Sequence, residues 1–385
     1  MSYKGVFFKK RHDKEARFKL YGLLSILLSL SLLGCLLVGV LIVGSKAFVK
    51  AELKATLFLD SKKTPQQMLT LAFQGEETRL LSPVADFKIH DFIQKYPEAL
   101  GTTVTLWLPL YDGVDQYLKG SHYLKAYKRS ILQRWKQEGK VALNYNWNFF
   151  SSSDSREPEI AGIWGAIVGT LYTLLVTFLI AFPLGIGTAI YLEEFAKKNK
   201  WTRFIEVNIN NLASVPSIIF GLLGLAIYIN LFGLPRSSPL VGGMTLALLT
   251  MPTLVIAARA ALQSTPKSIR QAAQGLGASE AQVTFHHVVP LAMPGILTGA
   301  ILSMSRALGE SAPLLIIGMA AFVVDIPMSF SDPATTLPVQ IFSWIRNPEK
   351  GFVENAAAGI LVLLIFLGMM NIGAIWLRQK FQKKW

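Results

Sequence analysis

The sequence predicts an all-α polytopic membrane protein with six transmembrane helices and a small α+β insert on the extracytoplasmic side. Three observations support this fold class. The 385-residue chain is 52% hydrophobic and only 16% charged, well below the charged fraction of about 25% in soluble domains. Several apolar runs reach the ~20 residues that cross about 30 Å of hydrocarbon. Basic residues gather beside these runs, as they do at the cytoplasmic ends of membrane helices.

The first span follows a basic N-terminus, residues 1–19, which we expect to lie in the cytoplasm. The apolar run from Leu20 to Gly44 has about 25 residues, whereas the core of a cleaved signal peptide has 7–15. We therefore predict a retained transmembrane helix over residues 20–47. The small residues near its end leave cleavage as the alternative.

Residues 48–159 form an insert between the first and second spans. It is too rich in aromatic residues for a disordered linker and long enough to fold as a small domain. Residues Thr102–Pro109 alternate with a period of two and predict a strand, and Ser121–Glu138 predict an amphipathic helix. Because spans alternate in direction, we expect this small α+β domain to be periplasmic.

The remaining core, residues 160–378, carries five more apolar runs, with a polar segment at about 264–290 between the third and fourth of them. The predicted spans are Ile160–Leu192, Val207–Phe232, Leu240–Leu262, Gly295–Val324 and Ala356–Leu377. Lysines and arginines follow the first and the last of these runs. They place those ends, and the tail at 379–385, in the cytoplasm. Both termini are therefore predicted to be cytoplasmic.

The polar segment predicts two short helices. Thr265-Pro266 is typical of a helix start, and Gly275 or Gly277 can supply a left-handed exit. Ser279-Glu-Ala-Gln282 matches a capping box that begins a second helix, which Pro290 is expected to end. Two short polar helices presented to the cytoplasm indicate a docking element for another protein. An ordinary loop helix is the alternative.

This segment resembles the coupling motif of ABC importer permeases, which reads Glu-Ala-Ala, three residues, Gly, and a short stretch ending in Pro. The matching residues are Arg270, Gln271, Ala272, Ala273, Gly277 and Pro290. In that family the motif docks on an ATPase subunit, so the resemblance implies the same contact here. Two positions depart from the motif, because Gln271 replaces the usual glutamate and Val289 the usual leucine.

Further motifs are similar to the PstA family, whose members are membrane subunits of phosphate ABC importers. The motifs are Gly169–Thr173, Phe182–Ile186, Ala189–Glu194, Ser214–Gly221 and Arg306–Leu315. The resemblance covers about residues 160–385, and the insert resembles that of a long-loop subgroup, with Trp107-Leu-Pro and Val114–Gly120 as markers. Arg259-Ala260 departs from it, since many relatives carry acidic residues there.

The resemblance implies the ABC importer permease fold, a place in the bacterial inner membrane, and inorganic phosphate as substrate. It also implies partners: a homologous PstC-like permease subunit as heterodimer, two PstB-like ATPase subunits, and a periplasmic PstS-like phosphate-binding protein. Membrane lipid surrounds the spans. The net charge of +14 comes from residues that flank spans, without a basic patch interleaved with aromatics, so nucleic acid is not an expected partner.

Two charged residues, Arg306 and Glu310, fall in the predicted fifth span. Each charge at a helix centre costs roughly 2.5–3.5 kcal/mol, and residues four apart on a helix can pair. The planar arginine fork matches the oxygens of phosphate, so we expect the pair to line the substrate route and face the partner subunit. The family resemblance points to the same two residues. Ser305 and Ser311 can add hydroxyl donors, and mutual neutralisation without a further role is the alternative.

No phosphate-binding loop of the Gly-x-x-x-x-Gly-Lys-Ser/Thr type and no His-Glu-x-x-His or Gly-x-Ser-x-Gly motif occurs in the sequence. We therefore expect a non-catalytic subunit without a cofactor, energised by a separate ATPase. His286 and His287 are adjacent and lack the spacing of metal ligands, so no metal site is expected.

Two other functions remain open at this point. A permease for another oxyanion, sulfate or molybdate, would need the same kind of donors. A membrane sensor or scaffold would use the insert to bind a ligand and signal inward. Such a protein usually carries a cytoplasmic output domain, whereas the predicted cytoplasmic segments here are short.

Overall fold

The structure, a computed structural model, describes residues 3–73, 75–121 and 123–381, with side chains between residues 14 and 380. The predicted end segments, 1–19 and 379–385, thus extend beyond the described residues. The first helix, α1 (Tyr3–Gly44), is largely exposed and approaches the rest of the protein closely at its end. A Cβ added to Gly44 would lie 2.9 Å from backbone atoms of Ala357 and Ala358. Glycine therefore allows this helix to contact the last one.

The insert folds around an antiparallel sheet. Its elements are β1 (Val49–Phe58), α2 (Pro65–Ala72), α3 (Ala85–Lys95), β2 (Thr103–Pro109), α4 (Asp112–Leu118), α5 (Ala126–Gln137), β3 (Val141–Tyr145) and α6 (Asn148–Ser151). In the described residues β1 is the central strand of three, and Leu53 on it pairs with Leu108 and Val141. The predicted α+β insert is confirmed, and the strand predicted at Thr102–Pro109 is β2. The amphipathic helix begins at Ala126 instead of Ser121.

The rest of the chain is a bundle of long apolar helices joined by short ones. They are α7 (Trp164–Ile190), α8 (Lys200–Ala213), α9 (Ser217–Gly224), α10 (Pro239–Gln263), α11 (Lys267–Gly275), α12 (Glu280–Val283), α13 (Val289–Gly309), α14 (Ala312–Ile316), α15 (Leu337–Ile345) and α16 (Lys350–Phe381). Wider π turns follow α7, α9 and α12, at Tyr191–Phe195, Leu225–Leu231 and Thr284–Val288. Among the described residues, five helices can cross a membrane, or six if a bent pair forms one span. The all-α polytopic fold class is confirmed, and its sixth span depends on that pair.

Helix α10 lies at the centre of the bundle and packs closely against α7 and α13. A Cβ on Gly243 would lie 2.4 Å from Val176 Cβ, and one on Gly299 would lie 2.5 Å from Ala257 Cβ. Small residues allow membrane helices to approach closely, and this packing takes the place of a hydrophobic driving force within lipid. The glycines therefore fix the spacing of the three central helices.

The third predicted span, Val207–Phe232, is wrong as a single helix. Its two parts, α8 and α9, meet at an angle of 101°. The break falls at Ser214–Pro216, where proline removes an N–H donor and turns the preceding residue away from helical backbone. No residue of α8 is buried, so this helix lies on the outside of the bundle, whereas Phe220 and Gly221 of α9 are buried within it.

The fifth predicted span, Gly295–Val324, is also wrong in its extent, because α13 ends at Gly309. The chain continues as the short α14 and an irregular segment, residues 317–336. This segment bonds to the start of α10: the Leu240 N–H donates to the Phe330 carbonyl at 2.9 Å, and the Ala334 N–H donates to the Ser237 carbonyl at 2.8 Å. Irregular backbone within a membrane protein requires such internal partners.

Pro290 does not end the second helix of the polar segment, as the sequence had suggested. Helix α12, the π turn Thr284–Val288 and α13 form one continuous helix from Glu280 to Gly309. The π turn replaces the regular i→i−4 bonding just before the proline. Pro290 thus lies in the first turn of α13, where a missing N–H costs least.

The insert is attached to the bundle through a buried polar cluster, which we call the junction cluster: Asp112, Asp115, Lys119, Glu159 and Glu354. Lys119 Nζ lies 2.5 Å from Asp115 Oδ2 and 3.3 Å from Glu354 Oε2, and none of the three side chains is more than 7% exposed. The cluster lines a cavity of about 20 Å³, which is enough for one water molecule. The contact between insert and bundle is therefore polar and closely packed.

Glu159 is the most unusual member of the junction cluster. It is 6% exposed, and neither carboxylate oxygen has a hydrogen-bond partner in another described residue. Burial raises the pKa of Glu159 to about 8. Burial, together with the charge of Asp115, raises the pKa of Asp112 to about 6. These carboxyl groups therefore hold protons at pH values where ordinary carboxyl groups are ionised.

Candidate functional site

The polar segment folds into two short helices at one end of the bundle, which we call the α11–α12 hairpin (Lys267–Val283). Helix α11 exits through Gly277, whose φ of +86° favours glycine. The Ser279 hydroxyl accepts from the Gln282 N–H, and the Gln282 side chain accepts from the Ser279 N–H. The predicted capping box is confirmed, and the left-handed exit lies at Gly277 instead of Gly275.

Arg270 holds the hairpin against the bundle. Its Nη2 and Nε donate to the two carboxylate oxygens of Glu194, at 2.7 and 3.2 Å. The same guanidinium donates to the carbonyls of Thr265 at 2.7 Å and Leu262 at 3.0 Å, at the end of α10. A bidentate arginine–carboxylate pair is among the strongest hydrogen-bonded arrangements in proteins. Arg270 thus points into its own chain and fixes the angle of α11.

The other predicted coupling residues divide between a buried and an exposed face of the hairpin. Ala273 is 6% exposed and belongs to an apolar cluster with Leu262 and Val283, whereas Gln271, Ala272 and Gly277 are exposed. Pro290 is half-buried at the base of α13. The surface that the hairpin offers to another molecule therefore includes Ala272 but excludes Ala273.

Leu276 is the hairpin residue that sequence reasoning missed. It is 91% exposed, in the turn between the two helices. A leucine between two glycines in an otherwise polar segment was a usable signal. Its side chain is free to enter a pocket on another protein, which is how buried anchor residues of interfaces act.

Arg306 and Glu310 lie at the end of a helix and not in its middle. Arg306 occupies the last turn of α13, where a cation interacts favourably with the helix dipole, and its Nε is 3.6 Å from Glu310 Oε1. The two side chains are 47% and 21% exposed, so the pair faces an open side of the bundle. Ser311 follows directly and is half-buried. Ser305 instead donates to Asn371 Oδ1 at 2.9 Å and joins α13 to α16.

A second set of ion pairs surrounds Arg259, the residue whose departure from its relatives had no explanation. Its Nη2 lies 2.8 Å from Glu206 Oε1 and 3.3 Å from Glu193 Oε2, and Gln263 Nε2 donates to Glu193 at 2.8 Å. Glu193 follows α7 and Glu206 lies on α8, so Arg259 of α10 connects three elements. The sequence separates these partners too widely for spacing to reveal them.

Comparison with known proteins agrees with these features. Residues 181–385 match the family described as binding-protein-dependent transport system inner membrane component, and residues 7–77 and 70–126 match a domain of unknown function, DUF3333. The probable ABC transporter permease protein YqgI of Bacillus subtilis (strain 168) is 33% identical over 255 residues, which cover 62% of this chain and 85% of that protein.

A second relative is the phosphate transport system permease protein PstA 1 of Mycobacterium tuberculosis (strain CDC 1551 / Oshkosh). It is 31% identical over 222 residues, which cover 58% of this chain and 72% of that protein. Among solved structures, the MetNI methionine ABC transporter in an inward-facing conformation matches with a TM-score of 0.47 and 17% identity, over 57% of this chain and 98% of that chain.

The family match spans more than half of the chain, and the similarity to YqgI spans most of that protein. In this family the membrane subunit is not catalytic, and the ATPase and the substrate-binding protein are separate chains. The chain belongs to the binding-protein-dependent transport system inner membrane components, the multi-pass permease subunits of ABC importers, and is a homologue of the PstA phosphate permeases.

Proposed function

We propose that this chain is a permease subunit that carries inorganic phosphate through the inner membrane, within an importer driven by a separate ATPase. The observation that carries the proposal is the position of Arg306 in a homologue of phosphate permeases. This guanidinium lies at a helix break and is 47% exposed on an open face of the bundle. A partner PstC-like subunit covering that face would enclose the guanidinium in a route between the two chains.

Glu310 is an alternative partner for the Arg306 guanidinium. At 3.6 Å from Arg306 Nε, its carboxylate is close enough to hold the guanidinium when no anion is present. A phosphate that enters would exchange with the carboxylate, because the arginine fork bonds both groups in the same bidentate way. Binding is thereby kept weak enough for release. Ser311, next in the chain, is placed to supply a hydroxyl donor to the anion.

The α11–α12 hairpin is the proposed docking site of a PstB-like ATPase subunit. In this arrangement the exposed residues Gln271, Ala272, Leu276 and Gly277 contact the partner. Arg270 and Ala273 set the angle of α11 from inside. The hairpin end of the bundle and both termini then lie in the cytoplasm. The insert lies in the periplasm, where it can meet a PstS-like phosphate-binding protein.

The substrate role is tested by uptake of radiolabelled phosphate into cells that lack their own phosphate importer and express this chain with its partner subunits. Arg306→Ala should abolish uptake while the complex remains assembled, and Ser305→Ala, which alters a contact to α16, is the matched control. Normal uptake by Arg306→Ala would reject the role of this residue. Uptake of labelled sulfate or molybdate in place of phosphate would assign the chain to another oxyanion.

The docking role is tested by co-purification with the ATPase subunit. Leu276→Asp places a charge at the proposed anchor and should reduce recovery of the ATPase by about tenfold, as expected for the loss of one anchor residue. Gln274→Asp changes an exposed residue of the preceding helix α11 and serves as control. Equal recovery with both variants would contradict docking through Leu276.

A further inference from the structure

We infer that Arg259 is a positioning residue that links the ATPase-docking hairpin to helix α8. Movement of the hairpin then reaches the substrate route through α8 and α9. The inference rests on the proposed function, since it assigns to the ion pairs around Arg259 a part in coupling ATP hydrolysis to transport. Three contacts carry it. The first joins the hairpin to the π turn after α7, the second joins that turn to α8 through Arg259 of α10, and the third joins α9 to α14, beside Arg306.

The first contact uses two consecutive glutamates on the π turn Tyr191–Phe195. Glu194 receives the bidentate hydrogen bonds of Arg270, at 2.7 and 3.2 Å. Glu193, its neighbour, receives Arg259 at 3.3 Å. Any displacement of α11 that Arg270 follows must therefore move the same turn that holds Arg259.

The second contact joins Arg259 to Glu206 at 2.8 Å. No residue of α8 is buried, although the half-buried Ile209 packs against the apolar cluster that contains Val255 and Ala258, so this ion pair and one apolar contact together fix the position of α8. A polar groove of about 620 Å³ opens beside it, lined by the π turn after α7, the connection to α8, the start of α8 and the last turns of α10. Arg259 and Glu206 both line this groove, so their ion pair joins α10 to α8 there.

The third contact lies beyond the 101° bend between α8 and α9. Gly221 of α9 packs directly on α14, because an added Cβ would lie 2.7 Å from Pro313 Cα. Helix α14 begins two residues after Glu310, at the break that carries the Arg306 pair. A shift of α8 that turns α9 is therefore passed by direct contact to the proposed phosphate site.

The ion pairs themselves are only partly buried. The side chains of Arg259, Glu193 and Glu206 are 20–32% exposed, so water can reach the groups that lose a partner, whereas Glu194 of the Arg270 pair is only 8% exposed. Their loss should therefore leave the protein folded and the hairpin intact. A loss of coupling can therefore be distinguished from a loss of assembly. A destabilised protein would lose ATPase binding and phosphate uptake together, whereas an uncoupled one would keep the ATPase bound.

The experiment measures phosphate uptake and ATP hydrolysis in the same proteoliposomes containing the complete complex. Arg259→Met should lower the phosphate carried per ATP hydrolysed by about tenfold, with the ATPase still bound. Arg259→Lys should recover part of the ratio, because the two glutamates share one nitrogen of Arg259, which an ammonium can replace. Arg203→Met removes a cation that has no ion pair among the described residues of α8, and should leave the ratio unchanged.

Glu206→Gln should reproduce the loss, and the double variant with Arg259→Met should be no worse than either single variant, since both remove the same ion pair. An unchanged ratio in both single variants, or losses that multiply in the double variant, would overturn the inference.

A wild-type complex that hydrolyses ATP without carrying phosphate would refute the proposed function instead of the role of Arg259. In that case the Arg259–Glu206 ion pair is tested with a spin label on α8. The label is attached at Trp201→Cys in a chain that also carries Cys35→Ser, because Cys35 is the one native cysteine. ATP should change the mobility of this label in the presence of Arg259 and not in Arg259→Met. The same response in both chains would refute the role of this ion pair.

Discussion

The two ends of the bundle differ in the partners that they give to their carboxylates. At the hairpin end, Glu193 and Glu194 each face an arginine within 3.3 Å. At the insert end, Glu159 is buried without a partner among the described residues, and Lys119 is shared by two carboxylates. Arginine stays charged at all ordinary pH values, so the hairpin end keeps its geometry, whereas the insert end gains and loses protons near neutrality.

The largest effect expected from this comparison comes from reversing the charge of Arg270. Arg270→Glu would place two carboxylates together, with the Glu194 side chain only 8% exposed. Breaking such a pair costs about 3–5 kcal/mol, which should detach α11 and abolish recovery of the ATPase subunit. Lys267→Glu reverses a charge at an exposed position of the same helix, outside the proposed contact residues, and should bind the ATPase normally. Retained ATPase binding in Arg270→Glu would show that this end does not depend on its ion pairs.

A smaller effect is expected at the insert end from Lys119→Met. The substitution keeps the length of the side chain but leaves Asp115 and Glu354 without their shared cation. We expect a loss of about 2–4 kcal/mol, measured as faster proteolysis between insert and bundle. The control is Lys140→Met, whose pair with Glu138 is 52% and 39% exposed and worth less than about 1 kcal/mol. Equal proteolysis of both variants would remove the distinction between buried and exposed pairs.

The smallest effect, and the one most specific to the comparison, is the pH dependence caused by Glu159. Its pKa is about 8 in the folded protein against an ordinary 4.5, so the folded state keeps a proton that the unfolded state releases between these values. Stability should therefore fall as pH rises from about 4.5 to 8. Glu159→Gln cannot ionise, so it should match the wild type near pH 4.5 and be more stable than the wild type at pH 8.5.

This is measured by thermal unfolding in detergent, followed by tryptophan fluorescence. Glu98→Gln, at an exposed glutamate of the insert, should leave the pH profile of the wild type unchanged. A profile that remains steep in Glu159→Gln would assign the pH dependence to other groups.

Local chemistry made parts of this structure predictable from the sequence. The capping box at Ser279 and the left-handed Gly277 depend on the residues beside them, and both were found where expected. The long apolar spans and β2 follow from patterns within a single element. Even Arg306 and Glu310 were identified correctly as an i, i+4 pair.

Breaks inside apolar runs were not predictable in the same way. The apolar run continues after Gly309, so hydropathy does not mark the end of α13, although Gly309 and Pro313 were local signals of a break. The bend at Ser214–Pro216 depends on which neighbours can satisfy the freed backbone. The ion pairs of Arg259 join residues that are 53 and 66 positions apart. Such features arise from packing between elements, which a single sequence does not display.

The continuous helix from Glu280 to Gly309, which includes the π turn Thr284–Val288, begins beside the proposed docking surface and carries Arg306 in its last turn. Its 30 residues give it a length of about 45 Å. Tilting a helix of this length by only ten degrees displaces its far end by roughly 8 Å relative to the near one. A small movement of an ATPase bound near the first end would therefore shift the Arg306 guanidinium by about the width of a phosphate ion.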